Sequence, residues 1–212
     1  MILGSTGLVG SLLLDLLLED ANYSEIRSLV RKPSGKNHTK LREAVIDFAR
    51  LEDHAALFDA DDIYCCLGTT IKQAGSQEAF RLVDYEYPLK AAELAKKRGA
   101  TKYLIVTAMG SDAKSMIFYN RVKGELEESL MKLDIATLHI FRPSLLLGNR
   151  KDHRPGEEFG KLFTSAAGFL LSGPLLKFRP VQGSLVAKAM LLFAREDKKG
   201  IFIHLSDVIQ KV

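Results

Sequence analysis

Residues 1–14 read MILGSTGLVGSLLL, and the spacing Gly4-x-x-Gly7-x-x-Gly10 decides how the rest of the chain is read. Three apolar residues run straight into the first glycine. Leu8, Leu12, Leu13, Leu16 and Leu17 then recur at the spacing of one helix face, which predicts a helix ending near Asp20. A strand, a glycine loop and a helix in that order make the phosphate-binding turn of a dinucleotide fold. Gly4 would permit the tight turn out of the strand. Gly7 would let a pyrophosphate approach the backbone, and Gly10 would let the helix pack on the sheet. The helix start adds unpaired N–H groups and a positive dipole end. Ser5, Thr6, Leu8 and Val9 complete the loop and join Gly4 and Gly7 as cofactor-binding candidates.

Outward from this loop, short β-type runs alternate with longer helical ones. Strands are expected at 26–31, 44–46, 62–66, 103–106, 136–141 and 201–204, and helices at 51–58, 78–98, 118–132 and 184–195. The helix at 78–98 is expected to bend near Pro88 and to place Asp84 and Tyr85 toward solvent or a neighbouring strand. Tyr103-Leu104-Ile105-Val106 is continuously apolar, as a strand covered on both faces requires. Such alternation means an α/β fold, a doubly wound parallel sheet of the Rossmann type. The chain reads as a single domain, 1–212, with 149–183 as a small substrate-side or lid extension opened by the polar loop NRKDHRPG.

Composition narrows the function classes. A length of 212 residues suits one core. Thirty Lys and Arg against 26 Asp and Glu give a net charge of +4, but the cations are interspersed with acids, so no nucleic-acid partner is expected. The two cysteines, Cys65 and Cys66, are adjacent, which excludes a disulfide framework and predicts a reducing, cytoplasmic setting. No charged n-region with an A-x-A site precedes an apolar stretch, so no signal peptide is expected. The apolar run 163–178 is broken by Gly173-Pro174 and is too short to span a membrane. Within it, 163–176 offers surface for a homodimer contact, with a core or lid role equally good. His38, His54, His139, His153 and His204 show no ligand spacing, so no metal is expected, and His153 reads as a solvated loop residue.

The second strand ends at Arg31-Lys32. An NAD enzyme carries an acid near this point, about 20 residues beyond the glycines, for the ribose 2′-hydroxyl. Two cations there suit a 2′-phosphate, so NADP(H) is preferred to NAD(H).

Tyr119-x-x-x-Lys123 lies in the predicted helix 118–132, where positions four apart share a face. A carbonyl receiving hydride needs a proton, and a neighbouring ammonium helps a phenol supply it. Lys123 can also hold the hydroxyls of a nicotinamide ribose. Thr107 follows a predicted strand end, where ligands of parallel sheets bind, and can present a hydroxyl to a substrate. Arg142-Pro143-Ser144 ends another strand, and the proline turns the chain over the nicotinamide end.

Gly4-x-x-Gly7-x-x-Gly10, Thr107-Ala108-Met109-Gly110, Tyr119-x-x-x-Lys123-Gly124-Glu125 and Arg142-Pro143-Ser144 together resemble the atypical short-chain dehydrogenases/reductases. The resemblance covers nearly the whole chain and points to the NAD(P)H-binding branch of the Tat-interacting oxidoreductases. It implies a Ser/Thr-Tyr-Lys group: Tyr119 as general acid/base, Lys123 orienting the ribose and tuning Tyr119, and Thr107 polarising the carbonyl. The family more often has Ser at Thr107, and Ser111 is a fallback hydroxyl. The resemblance also implies that Cys66, Leu67, Gly68 and Thr69 line the cofactor and that Asp47 and Phe48 flank its adenine. Lys72 and Gln73 are substrate-side candidates. The expected function is NADPH-dependent reduction of a small carbonyl compound. Two alternatives stand beside it, an NADPH-binding sensor or regulatory partner protein with little turnover, and an epimerase-like enzyme with a tightly held cofactor.

Overall fold

A computed structural model describes residues 1–148 and 178–212. Seven parallel strands form one sheet in the order β3-β2-β1-β4-β5-β6-β9. They are β1 (Ile2–Leu3), β2 (Ile26–Val30), β3 (Leu41–Val45), β4 (Asp62–Cys65), β5 (Lys102–Val106), β6 (Thr137–Arg142) and β9 (Gly200–Leu205). Two short strands, β7 (Leu146–Leu147) and β8 (Val181–Gln182), pair separately. The helices are α1 (Leu8–Glu19), α2 (Ile71–Ala74), α3 (Gln77–Arg81), α4 (Tyr87–Lys97), α5 (Phe118–Met131), α6 (Gly183–Ala194) and α7 (Ser206–Ile209). A 3₁₀ helix spans Phe48–Phe58, and a π turn, Leu82–Glu86, joins α3 to α4.

This is the doubly wound Rossmann arrangement. Parallel strands need crossovers, and the crossovers cover both faces, so the central strands are apolar on both sides. On one face Leu13, Leu14, Leu17, Val186 and Met190 pack on Ile2, Tyr64, Leu104 and Phe141. On the other, Ala91, Ala95, Leu126 and Leu130 pack on Leu3, Ile63, Ile105 and Ile140. The chain runs outward from β1 to β3 and then returns to β4, so the order reverses between β1 and β4. Ligand crevices of such sheets open at this reversal, above the carboxyl ends of the strands.

The structure refines two expectations. The third strand is Leu41–Val45 rather than 44–46, because pairing with β2 (Ile26 with Leu41 through Val30 with Val45) sets its extent. In place of a bend near Pro88, a π turn, Leu82–Glu86, precedes it. Pro88 sits in the first turn of α4, where its missing N–H costs little, and the preceding turn widens to π geometry. The loop 149–156, His153 and the apolar stretch 163–176 lie outside the described residues.

Candidate functional site

The three glycines meet different constraints. Gly4 has φ +81°, and a Cβ there would lie 2.5 Å from the Cys66 carbonyl oxygen. It therefore lets the loop after β1 touch the loop after β4. A Cβ on Gly10 would lie 2.1 Å from the Gly4 carbonyl oxygen, so Gly10 fixes how closely α1 seats on its own loop. Gly7 is different. Its φ is −80°, and a Cβ would meet only the Gly4 carbonyl oxygen, at 3.4 Å. The protein's own packing does not need a glycine here, whereas a phosphate approaching the backbone does. No side chain caps α1, so the N–H groups of its first turn point at this same space. The loop therefore fits a dinucleotide's pyrophosphate. Ser5 is buried, its hydroxyl 2.7 Å from that of Ser28, which ties the loop to β2. Thr6 is exposed, Leu8 is half-buried, and Val9 lies in the core.

Arg31 and Lys32 follow β2 directly and are exposed. Asp47 accepts a hydrogen bond from the Ala49 N–H at 2.9 Å and caps the 3₁₀ helix. Phe48 is buried against Tyr87, with ring centroids 5.9 Å apart. Cys66 packs toward α6, its sulfur 4.0 Å from that of Met190. Leu67 and Thr69 are half-buried, while Gly68, Lys72 and Gln73 are exposed.

One face of α5 carries Tyr119, Lys123 and Glu127, each four residues from the next. Tyr119 packs on Phe80, with centroids 5.5 Å apart. Lys123 is only 3% exposed, and its Nζ lies 2.8 Å from Oδ1 of Asp84, itself 1% exposed. The other carboxylate oxygen of Asp84 accepts the Thr69 N–H at 2.8 Å. Burial alone would lower the pKa of Lys123. The Asp84 carboxylate and, beside it, Tyr119 together outweigh burial and hold the ammonium above its ordinary value. Gly124, next to this lysine, lets the 107–117 loop lie on the helix, since a Cβ there would lie 2.2 Å from the Ala113 nitrogen.

Asp84 is the residue that sequence reasoning misplaced. It does not face solvent but is buried against Lys123. The signal was its phase: Phe80, Asp84 and Pro88 are four apart, and the residues flanking Asp84 on that stripe are buried. An acid on an apolar stripe calls for a cationic partner.

Thr107 stands at the end of β5, and its hydroxyl donates to the Phe141 carbonyl at 3.3 Å. Ser111 is equally buried, and its hydroxyl donates to the Ala108 carbonyl at 2.7 Å. The guanidinium of Arg142 forks onto the buried carboxylate of Glu127, with Nε 3.0 Å from Oε2. Arg142 thus anchors the strand end to α5. Pro143 is buried, and its carbonyl accepts the Met109 N–H at 2.9 Å. The Ser144 N–H donates to the Ser206 hydroxyl at 3.1 Å. The structure thus brings Thr107, Tyr119, Lys123, Gly68 and Pro143 to the carboxyl ends of β4, β5 and β6.

Comparison with known proteins agrees with this fold. The HIM1 family model matches residues 34–166. Protein HTATIP2 of Rattus norvegicus is 36% identical over 76% of this chain and 68% of its own length. Protein FMP52-1, mitochondrial, of Scheffersomyces stipitis is 33% identical over 92% of this chain and 87% of its own. Among solved structures, the Bordetella bronchiseptica enzyme WbmH in complex with NAD+ superposes with a TM-score of 0.72 at 16% identity, covering 97% of this chain and 74% of that one. The expected cytoplasmic location is overturned here, because the fungal relatives are mitochondrial proteins by name and point away from the cytoplasm. Adjacent reduced cysteines do not distinguish one reducing compartment from another.

Proposed function

The chain belongs to the HIM1 family, and from that premise we propose that it is an NADPH-dependent oxidoreductase of the atypical short-chain type, reducing a small carbonyl compound. One observation carries the reading: Tyr119 and a buried, charge-paired Lys123 share the face of α5 that borders the glycine loop's crevice. The residues toward the cofactor are Gly7 and the first turn of α1 for the pyrophosphate, Arg31 and Lys32 for a 2′-phosphate, and Lys123 for the nicotinamide ribose. When bound, the reduced nicotinamide supplies the hydride. Tyr119 supplies the proton to the carbonyl oxygen through its phenolic O–H. The Lys123 ammonium favours the phenolate left behind, which returns the proton demand to solvent. Phe80 packs beside Tyr119 with its ring tilted by 45°.

A second reading, an NADPH-binding regulatory protein with little turnover, is favoured by one observation. The hydroxyls of Thr107 and Ser111 are both given to main-chain carbonyls, so a substrate oxygen must compete for either one. The test is nucleotide binding followed by turnover. NADPH should raise the melting temperature, and a panel of carbonyl compounds should consume it. Tyr119→Phe should keep the affinity and lose turnover by about 10²–10⁴, the scale of acid/base catalysis. Binding without consumption would favour the regulatory reading. No response to NADPH or NADH would remove both.

A further inference from the structure

The Lys123–Asp84 pair does more than bury two charges. Each partner is almost fully buried, and either one alone would be an uncompensated charge in the interior. The pair spans three elements: Lys123 on α5, Asp84 on the π turn, and Thr69 in the loop after β4. The two carboxylate oxygens divide the work, one toward the ammonium and one accepting the Thr69 N–H. Gly68 covers the pair with bare backbone, since a Cβ there would lie 3.5 Å from Oδ1 of Asp84 and 4.0 Å from Nζ of Lys123. An ammonium has three protons, so one contact to Asp84 leaves two for a ligand's hydroxyls.

We infer that Asp84 is a positioning residue, which holds the Lys123 ammonium and the Thr69 main chain at one point so that α5 and the loop after β4 present a fixed cation to the nucleotide. This rests on the nucleotide reading above. The groups facing Lys123 are Asp84 from the π turn, Tyr119 on its own helix and Cys65 at the end of β4. Glu127, one turn further along α5, is taken by Arg142. Among the described residues, Asp84 is therefore the carboxylate that compensates Lys123.

Removing the carboxylate while keeping its shape separates positioning from packing. In Asp84→Asn, burial acts on Lys123 without its carboxylate partner, and only Tyr119 and Cys65 still oppose it. The folded protein then binds fewer protons than the unfolded chain between the lowered lysine value and about 10.4. Its stability deficit against wild type should shrink as pH rises from 7 to 10. A purely structural loss would give a deficit independent of pH. The double variant Asp84→Asn/Lys123→Met should show no such slope, and it should restore the fold if Asp84→Asn alone does not fold. NADPH affinity of Asp84→Asn should fall about tenfold at pH 7, the scale of one lost hydrogen bond to a charged group, and fall further as pH rises. A pH-independent deficit with wild-type NADPH affinity would overturn the inference. A double variant that cannot rescue an unfolded Asp84→Asn would overturn it too. If wild type itself binds no NADPH, the nucleotide reading fails, and the slope still reports on the ion pair.

Discussion

Arg31 and Lys32 carry the choice between two nucleotides that differ by one phosphate. Both are exposed at the end of β2, where the adenosine ribose of a dinucleotide would lie. Arg31→Ala should weaken NADPH by about 1.5–3 kcal/mol, the scale of a hydrogen bond to a charged group, and leave NADH nearly unchanged. Calorimetric titration with both nucleotides checks this, and equal losses would place the 2′-phosphate elsewhere. Individual side chains were legible where spacing alone defines a face. Tyr119 and Lys123 are four apart, and the structure puts both on the inner side of α5. Their partners were not legible. Asp84 lies 39 positions from Lys123, and no local pattern joins residues so far apart in the chain. Glu127 with Arg142 is the same case, a helix residue meeting the end of the next strand. Thr107 was legible in place but not in state, because whether its hydroxyl is free depends on the Phe141 carbonyl one strand away.

The glycine loop and α1 act as a unit, and two alanine substitutions should take that unit apart. Gly7→Ala meets an ordinary contact at 3.4 Å with an allowed φ, so its melting temperature should stay near wild type while NADPH binding is lost. Gly10→Ala drives a methyl to 2.1 Å from the Gly4 carbonyl oxygen. That overlap should destabilise the fold by about 1–3 kcal/mol, as overpacking does, whether or not nucleotide is present. Chemical denaturation and nucleotide titration of both variants read the two effects separately. If Gly7→Ala binds like wild type, the loop does not hold a phosphate. Most elements were legible, because 3.6-residue and continuous apolar runs report burial directly. The misses have physical causes. The extent of β3 is fixed by its pairing with β2 rather than by its own residues. The π turn ahead of Pro88 is a change of hydrogen-bond partner inside a helical run, which apolar spacing does not register. Two-residue strands such as β7 and β8 are too short to carry any period.

Across the whole molecule, the outer strands β6 and β9 are joined by a histidine pair remote from the glycine loop. His139 Nδ1 lies 2.9 Å from His204 Nε2, and both rings stack among Phe141, Phe193 and Phe202. Burial, joined at His139 by the neighbouring His204, pushes the pKa of each down to about 4. The ordinary value is about 6.5, so the unfolded chain takes up protons first as pH falls. The pair's contribution is complete above about 6.5 and is lost progressively between there and about 4. Thermal melts from pH 7 to 4 should show this decline, and the double variant His139→Phe/His204→Phe should flatten it. A slope unchanged in the double variant would assign the acid sensitivity to other groups. A last consequence concerns β7 and β8. Leu146 sits beside Val181, the Val181 N–H donates to the Leu145 carbonyl at 2.9 Å, and the Ser144 hydroxyl donates to the Arg179 carbonyl. Residues 144–147 and 179–182 are thus held side by side, apart from the main sheet. Because Val181 both pairs with Leu146 and donates to Leu145, a proline at position 181 would remove the very N–H that fastens these two stretches to each other.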